Sequence, residues 1–118
     1  MGTFHYEISL GPKDGSRFET VSALVDTGST YTVVPASVLE GLGVTPEWTS
    51  FFELADGRQQ EYGLAEILLR LDGQERTTIC IFGSPDSEPL LGAYALEGFG
   101  LAEDPVNQRL VPARLFLA

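Results

Sequence analysis

Apolar side chains at Phe4, Tyr6, Ile8 and Leu10 alternate with His5, Glu7 and Ser9, a period of two that predicts a half-buried β-strand. Gly11 to Ser16 holds Pro12 and Asp14-Gly15 and reads as a turn, after which Arg17 to Val25 returns as a second strand. Two further Asp-Gly pairs, Asp56-Gly57 and Asp72-Gly73, sit between β-competent segments. Tyr62 to Leu71 and Thr77 to Phe82 are apolar-rich enough to be strands on either side of the last turn. Two short helices interrupt this pattern. Pro35 to Glu40 begins with proline in its first turn and stops at Gly41 or Gly43; Ala93 to Phe99 ends at Gly98 or Gly100. No internal repeat, low-complexity tract or linker divides the chain, so one domain over residues 1–118 is expected. The pattern describes a small protein made of hairpins.

Composition narrows the picture. Thirteen glycines and seven prolines in 118 residues suit a turn-rich β fold rather than a helical bundle. Seventeen acidic against seven basic residues give a net charge of −10, which leaves no cationic surface for nucleic acid or for an anionic membrane. The single Cys80 permits no internal disulfide, and no Cys/His cluster has metal-ligand spacing. Cys80 falls mid-strand and reads as a core residue rather than a nucleophile, and His5 reads as a solvated strand residue. Trp48 is expected in the core. With no apolar run near the ~18 residues of a membrane span and no recognisable signal segment, a cytoplasmic protein is expected.

The chemistry is concentrated in Ala23-Leu24-Val25-Asp26-Thr27-Gly28-Ser29, where an apolar strand runs directly into a carboxylate, a hydroxyl and a glycine. A carboxylate at the end of a buried strand is costly unless hydrogen-bonded or sharing a proton. The β-prone run Thr30 to Val34 follows, and much later Pro89-Leu90-Leu91-Gly92 leads straight into a helix. Taken alone, Asp26-Thr27-Gly28 is also what an Asx turn at a strand end looks like. With Leu90-Leu91-Gly92 and the stretch from Leu96 to Pro105 and Leu110-Val111-Pro112, the order and spacing from about Phe18 to Pro112 resemble the retropepsin-like aspartic peptidases, bacterial members included.

That resemblance implies an all-β, small closed barrel of hairpins with one or two short helices. It implies an aspartic endopeptidase in which two carboxylates share a proton and activate a water. Asp14, Asp56 and Asp72 all sit in Asp-Gly turns and no second Asp-Ser/Thr-Gly occurs, so the second carboxylate must be Asp26 of another copy, in a homodimer. No metal or organic cofactor is required, and the partners are a second copy and a peptide or protein substrate. By the resemblance, Asp26 is catalytic, the Thr27 hydroxyl crosses to the partner loop, and Gly28 lets substrate backbone approach. The hydroxyl of Ser29 is expected to donate to Asp26 and favour an acidic optimum. Tyr31, Val33 and Leu90 are expected in the cleft walls, and Ala55, Asp56 and Gly57 at the tip of a flap formed by Phe52 to Gln60.

Two positions depart from the retroviral pattern. The flap has one glycine and a charged tip, and Ala93 and Thr30 stand where retroviral members carry a dimer-locking Arg and Asp. Hydrophobic pairing of Phe4, Leu115, Phe116 and Leu117 between copies is one replacement; the last three are equally readable as the barrel's final strand. These departures also keep open a catalytically weak or inactive dimeric peptide-binding or scaffold module of the same fold.

Overall fold

The computed structural model describes residues 3–118. Nine strands and two helices follow in the order β1 (His5–Gly11), β2 (Glu19–Val25), β3 (Thr32–Pro35), α1 (Ala36–Gly41), β4 (Trp48–Glu53), β5 (Gln59–Leu71), β6 (Gln74–Gly83), β7 (Leu90–Leu91), α2 (Ala93–Phe99), β8 (Leu101–Asp104) and β9 (Arg109–Pro112). Seven of the strands form one sheet in the order β1-β2-β7-β3-β6-β5-β4. An additional antiparallel pairing of β1 with β5, Leu10 opposite Leu69, joins the sheet back on itself as a ring and leaves β4 outside on the edge of β5.

The turns are where their chemistry requires. Gly15, Gly57 and Gly73 all have positive φ, at 70°, 86° and 74°, and Asp72 joins Gly73 there at 52°. Two successive positive-φ residues give the twist that a tight β5–β6 hairpin needs. The period-two faces point as expected: Phe4, Ile8 and Leu10 are buried, as are Ala65, Ile67, Leu69 and Leu71 along β5. They meet Leu39 and Leu42 from the α1 end and Ala95, Leu96 and Phe99 from α2 in one core. Each fully buried aliphatic side chain contributes roughly 1.5–3 kcal/mol relative to exposure.

Several expectations need correction. Trp48 is 42 % exposed, because it starts β4, a strand that pairs only with β5 and lies outside the ring. Phe4 does not lie at an open edge; it is buried, and its carbonyl accepts the N–H of Val25. Leu115, Phe116 and Leu117 form no final strand and stand largely in solvent. The stretch after α2 instead makes its own two-stranded sheet, β8 with β9, Glu103 opposite Leu110. His5 is exposed as expected, but its Nε2 lies 2.7 Å from the carboxylate of Glu88. No helix among the described residues is long and apolar enough to cross a membrane.

Candidate active site

Asp26 is placed by the meeting of two parallel strands. Val25 ends β2 opposite Leu91 of β7, and the N–H of Asp26 donates to the Leu91 carbonyl at 3.0 Å. The chain then folds tightly over itself. Gly28 N–H donates to Asp26 Oδ1 at 2.9 Å, and Ser29 N–H to the Asp26 carbonyl at 3.1 Å. A Cβ on Gly28 would sit 3.1 Å from the same carboxylate oxygen, so glycine keeps the approach to Asp26 open.

The β7–α2 junction braces the remainder of the loop. Ala93 and Tyr94 donate their N–H groups to the carbonyls of Ser29 and Thr30 at 2.8 and 2.9 Å. The N–H of Gly92 donates to the buried Thr32 hydroxyl at 3.2 Å. These bonds satisfy N–H groups at the start of α2 that the helix itself leaves unpaired. They also explain why a Leu-Leu-Gly–helix segment must follow the Asp-Thr-Gly segment: the second holds the first.

Both hydroxyls of the loop have acceptors within the chain, and that of Ser29 differs from expectation. Ser29 Oγ donates to the carbonyl of Tyr31 at 2.7 Å, not to Asp26, which removes the premise for an acidic optimum set by Ser29. Thr27 Oγ1 donates to Glu103 Oε1 of β8 at 3.1 Å. A hydroxyl has one donor, and in the separate chain Glu103 has taken it.

Beside the loop lies a cavity of about 380 Å³. Gly28 and Ser29 border it on the loop side, with Tyr31, Val33 and Leu90 in its walls. Phe52, Leu54 and Ala55 of the β4–β5 hairpin overhang it, joined by Tyr62 and Ile81. Asp56 and Gly57 do not line it. The Asp56 carboxylate turns back within the hairpin, accepting from the Arg58 N–H at 3.0 Å and from Arg58 Nε at 2.6 Å. Those two bonds, the backbone one first, hold it below the usual carboxylate range.

Phe52 and Tyr62 are cavity residues that sequence reasoning did not assign. Phe52 pairs with Gln60 and Tyr62 with Ser50, so the two rings are diagonal neighbours across the hairpin, 6.1 Å apart. Tyr31 meets Phe52 edge-on at 6.3 Å and Tyr94 at 5.6 Å, tying the hairpin to the loop and to α2. The alternation of Phe52 and Leu54 about Glu53, which sets two apolar side chains on one face of the hairpin, was the available signal. Among the described residues no group of three or more His, Cys, Asp or Glu is arranged to hold a metal ion.

Comparison with known proteins agrees with this geometry. A family model described as aspartyl protease matches residues 14–93. Among solved structures, the EIAV protease complexed with the inhibitor HBY-793 superposes with a TM-score of 0.60 at 14 % identity, over 97 % of this chain and 92 % of that one. The simian foamy virus (mac) protease gives 0.57 at 20 % identity, over 81 % and 94 %. A retropepsin-like aspartic protease from Rickettsia conorii gives 0.56 at 20 % identity, over 88 % and 94 %. No curated protein matches the sequence. The matched stretch runs from the β1–β2 turn to the first residue of α2 and so contains both the Asp26 loop and the segment that braces it: this chain belongs to the aspartyl protease family and has the retropepsin-like fold.

Proposed function

We propose that the protein is an aspartic endopeptidase whose active unit is a homodimer joined at the Asp26 loops. The observation that carries this reading is the capped carboxylate of Asp26 in a braced loop whose Gly28 and Ser29 border an apolar cavity beside the β4–β5 hairpin. One loop supplies one carboxylate; the reaction needs an acid and a base, so the partner's Asp26 supplies the other. Two carboxyls about 3 Å apart share a proton, because both cannot be ionised at that distance.

The reaction then balances within the pair. The ionised carboxylate takes a proton from water as the water oxygen attacks the peptide carbonyl carbon. The protonated partner gives its proton to the carbonyl oxygen, forming a neutral gem-diol. Collapse returns that hydroxyl proton to a carboxylate as the C–N bond breaks, and the other carboxyl protonates the departing nitrogen. Val33, Ile81, Leu90 and the rings of Tyr31, Phe52 and Tyr62 favour apolar and aromatic substrate side chains in the cavity.

The test is cleavage of a mixed peptide library from pH 3 to 8 by the wild type and by Asp26→Asn, with folding and association checked for both. The expected result is cleavage by the wild type and at least a hundredfold loss in a folded variant, in keeping with removal of a group that acts in proton transfer. Equal cleavage by Asp26→Asn would sink the assignment of Asp26. A dimeric wild type that binds peptides but cleaves none would favour the scaffold reading.

A further inference from the structure

Among the described residues, the bonds that brace the Asp26 loop come from within the loop or from the β7–α2 junction, and one does not. Thr27 Oγ1 donates to Glu103 Oε1 at 3.1 Å, and Glu103 belongs to the separate β8–β9 sheet. The pair borders a groove of about 490 Å³ that also includes Ala93, Leu96, Leu101 and Glu97 of α2. Glu103 faces Leu110 across the β8–β9 ladder, so β9 brings no cation opposite it. The nearest basic side chain of that sheet, Arg109, is engaged by Asp104 at 3.2 Å. Two carboxylates, Glu97 and Glu103, thus line one groove next to the catalytic loop with no basic residue in its lining.

We propose that Glu103 controls assembly: its carboxylate holds the Thr27 proton in the separate chain and opposes the joining of two Asp26 loops. This rests on the homodimer reading above. Two Asp26 carboxyls close enough to share a proton bring both Thr27 residues together, and with each Thr27 comes the Glu103 bonded to it. The Thr27 hydroxyl has a single proton, so it cannot donate to a partner loop while donating to Glu103. Two Glu103 and two Glu97 carboxylates converge at the same moment, a like-charge juxtaposition that costs association free energy and is screened by salt. Ala93, at the start of α2 in this same groove, carries no charge, which leaves the acidic pair unopposed.

Sedimentation across a dilution series, at low and high salt, tests this with wild type, Glu103→Gln and Glu103→Ala. Circular dichroism establishes that each variant is folded. Glu103→Gln keeps the shape and an acceptor oxygen but drops the charge; Glu103→Ala also releases the Thr27 donor. The expected result is a dimer Kd lowered by about tenfold in Glu103→Gln, more in Glu103→Ala, with a weaker salt dependence in both. Cleavage per chain rises by the same factor at low concentration, while kcat of the fully assembled enzyme is unchanged. A wild type that dimerises as tightly as both variants, or more tightly, overturns the proposal and leaves the homodimer reading intact. If wild type and variants all stay monomeric to the highest concentration while cleaving peptide, the homodimer reading falls and this proposal with it.

Discussion

Cys80 sits in the middle of β6, fully enclosed, with Sγ facing the carbonyl oxygen of Ile81 at 3.7 Å, and burial pushes its thiol up to about 12. The folded chain therefore keeps this proton where the unfolded chain, near the ordinary value of 9.0, has lost it. With a folded pKa raised above the unfolded one, the contribution to stability is constant below pH 9 and is lost as pH rises toward 12. Tyr6, which donates to Asp72 and is itself raised from 10.0 to about 12, adds a loss in the upper part of the same window. Denaturant unfolding between pH 8 and 11.5 should show stability falling with pH, Cys80 supplying up to about 1.4 kcal/mol per pH unit. In Cys80→Ala that share of the slope disappears, even though the cavity left behind lowers stability at every pH. Parallel slopes in the two proteins would show that the thiol is not kept protonated by burial. The assignment of Cys80 to the core was legible from its place in an apolar strand. The partners of Ser29 and Thr27 were not, because a hydroxyl near a carboxylate has several acceptors within reach and only tertiary geometry chooses among them.

At the scale of elements, the site depends on one glycine between a two-residue strand and a seven-residue helix. A Cβ on Gly92 would lie 2.5 Å from the Tyr31 carbonyl carbon and 2.9 Å from the Ser29 carbonyl oxygen, both of them backbone of the segment that carries Asp26. Backbone cannot rotate aside as a side chain can, so Gly92→Ala must displace either the loop or α2. Overpacking of this kind costs about 1–3 kcal/mol. The expected outcome is a lowered unfolding midpoint together with a loss of cleavage larger than the drop in folded protein explains, measured by thermal melts and kcat/KM on one peptide. Normal kcat/KM in a destabilised Gly92→Ala would show that the loop tolerates the shift. The hairpins and both helices were readable in advance, since Asp-Gly turns, alternation and Gly100 in the left-handed C-cap of α2 are local signals. The strands β8 and β9 were not. Leu101–Asp104 has neither alternation nor β-branched residues, and its ladder exists because the turn at Asp104 to Asn107, with Asn107 bonded to the Asp104 carboxylate, folds the chain back. Trp48 misled for a related reason: aromatic content marks it as a strand residue, but not whether that strand lies inside the ring or on its edge.

For the molecule as a whole, closure of the ring by β1 on β5 buries the apolar faces of the strands and leaves few sheet edges exposed. What stays outside is informative. Leu115, Phe116 and Leu117 are 74, 79 and 102 % exposed in the separate chain, and Arg114 rests over the Phe116 ring at 5.4 Å. Residues this exposed contribute little to folding, because they bury almost no area. Exposed apolar side chains grouped in one segment are instead the kind of surface that association covers. Deleting residues 115–118 should therefore move the unfolding midpoint by no more than about 2 °C, well inside the shift that ~1 kcal/mol produces in a domain of this size. The same deletion should weaken self-association by about tenfold, the equivalent of roughly 1.4 kcal/mol of buried apolar surface. A sharp fall in the midpoint would mean that the segment packs on its own chain. Unchanged association would confine the contact between copies to the Asp26 loops and the β8–β9 sheet, where the acidic groove opposes it and a weak, concentration-dependent enzyme would result.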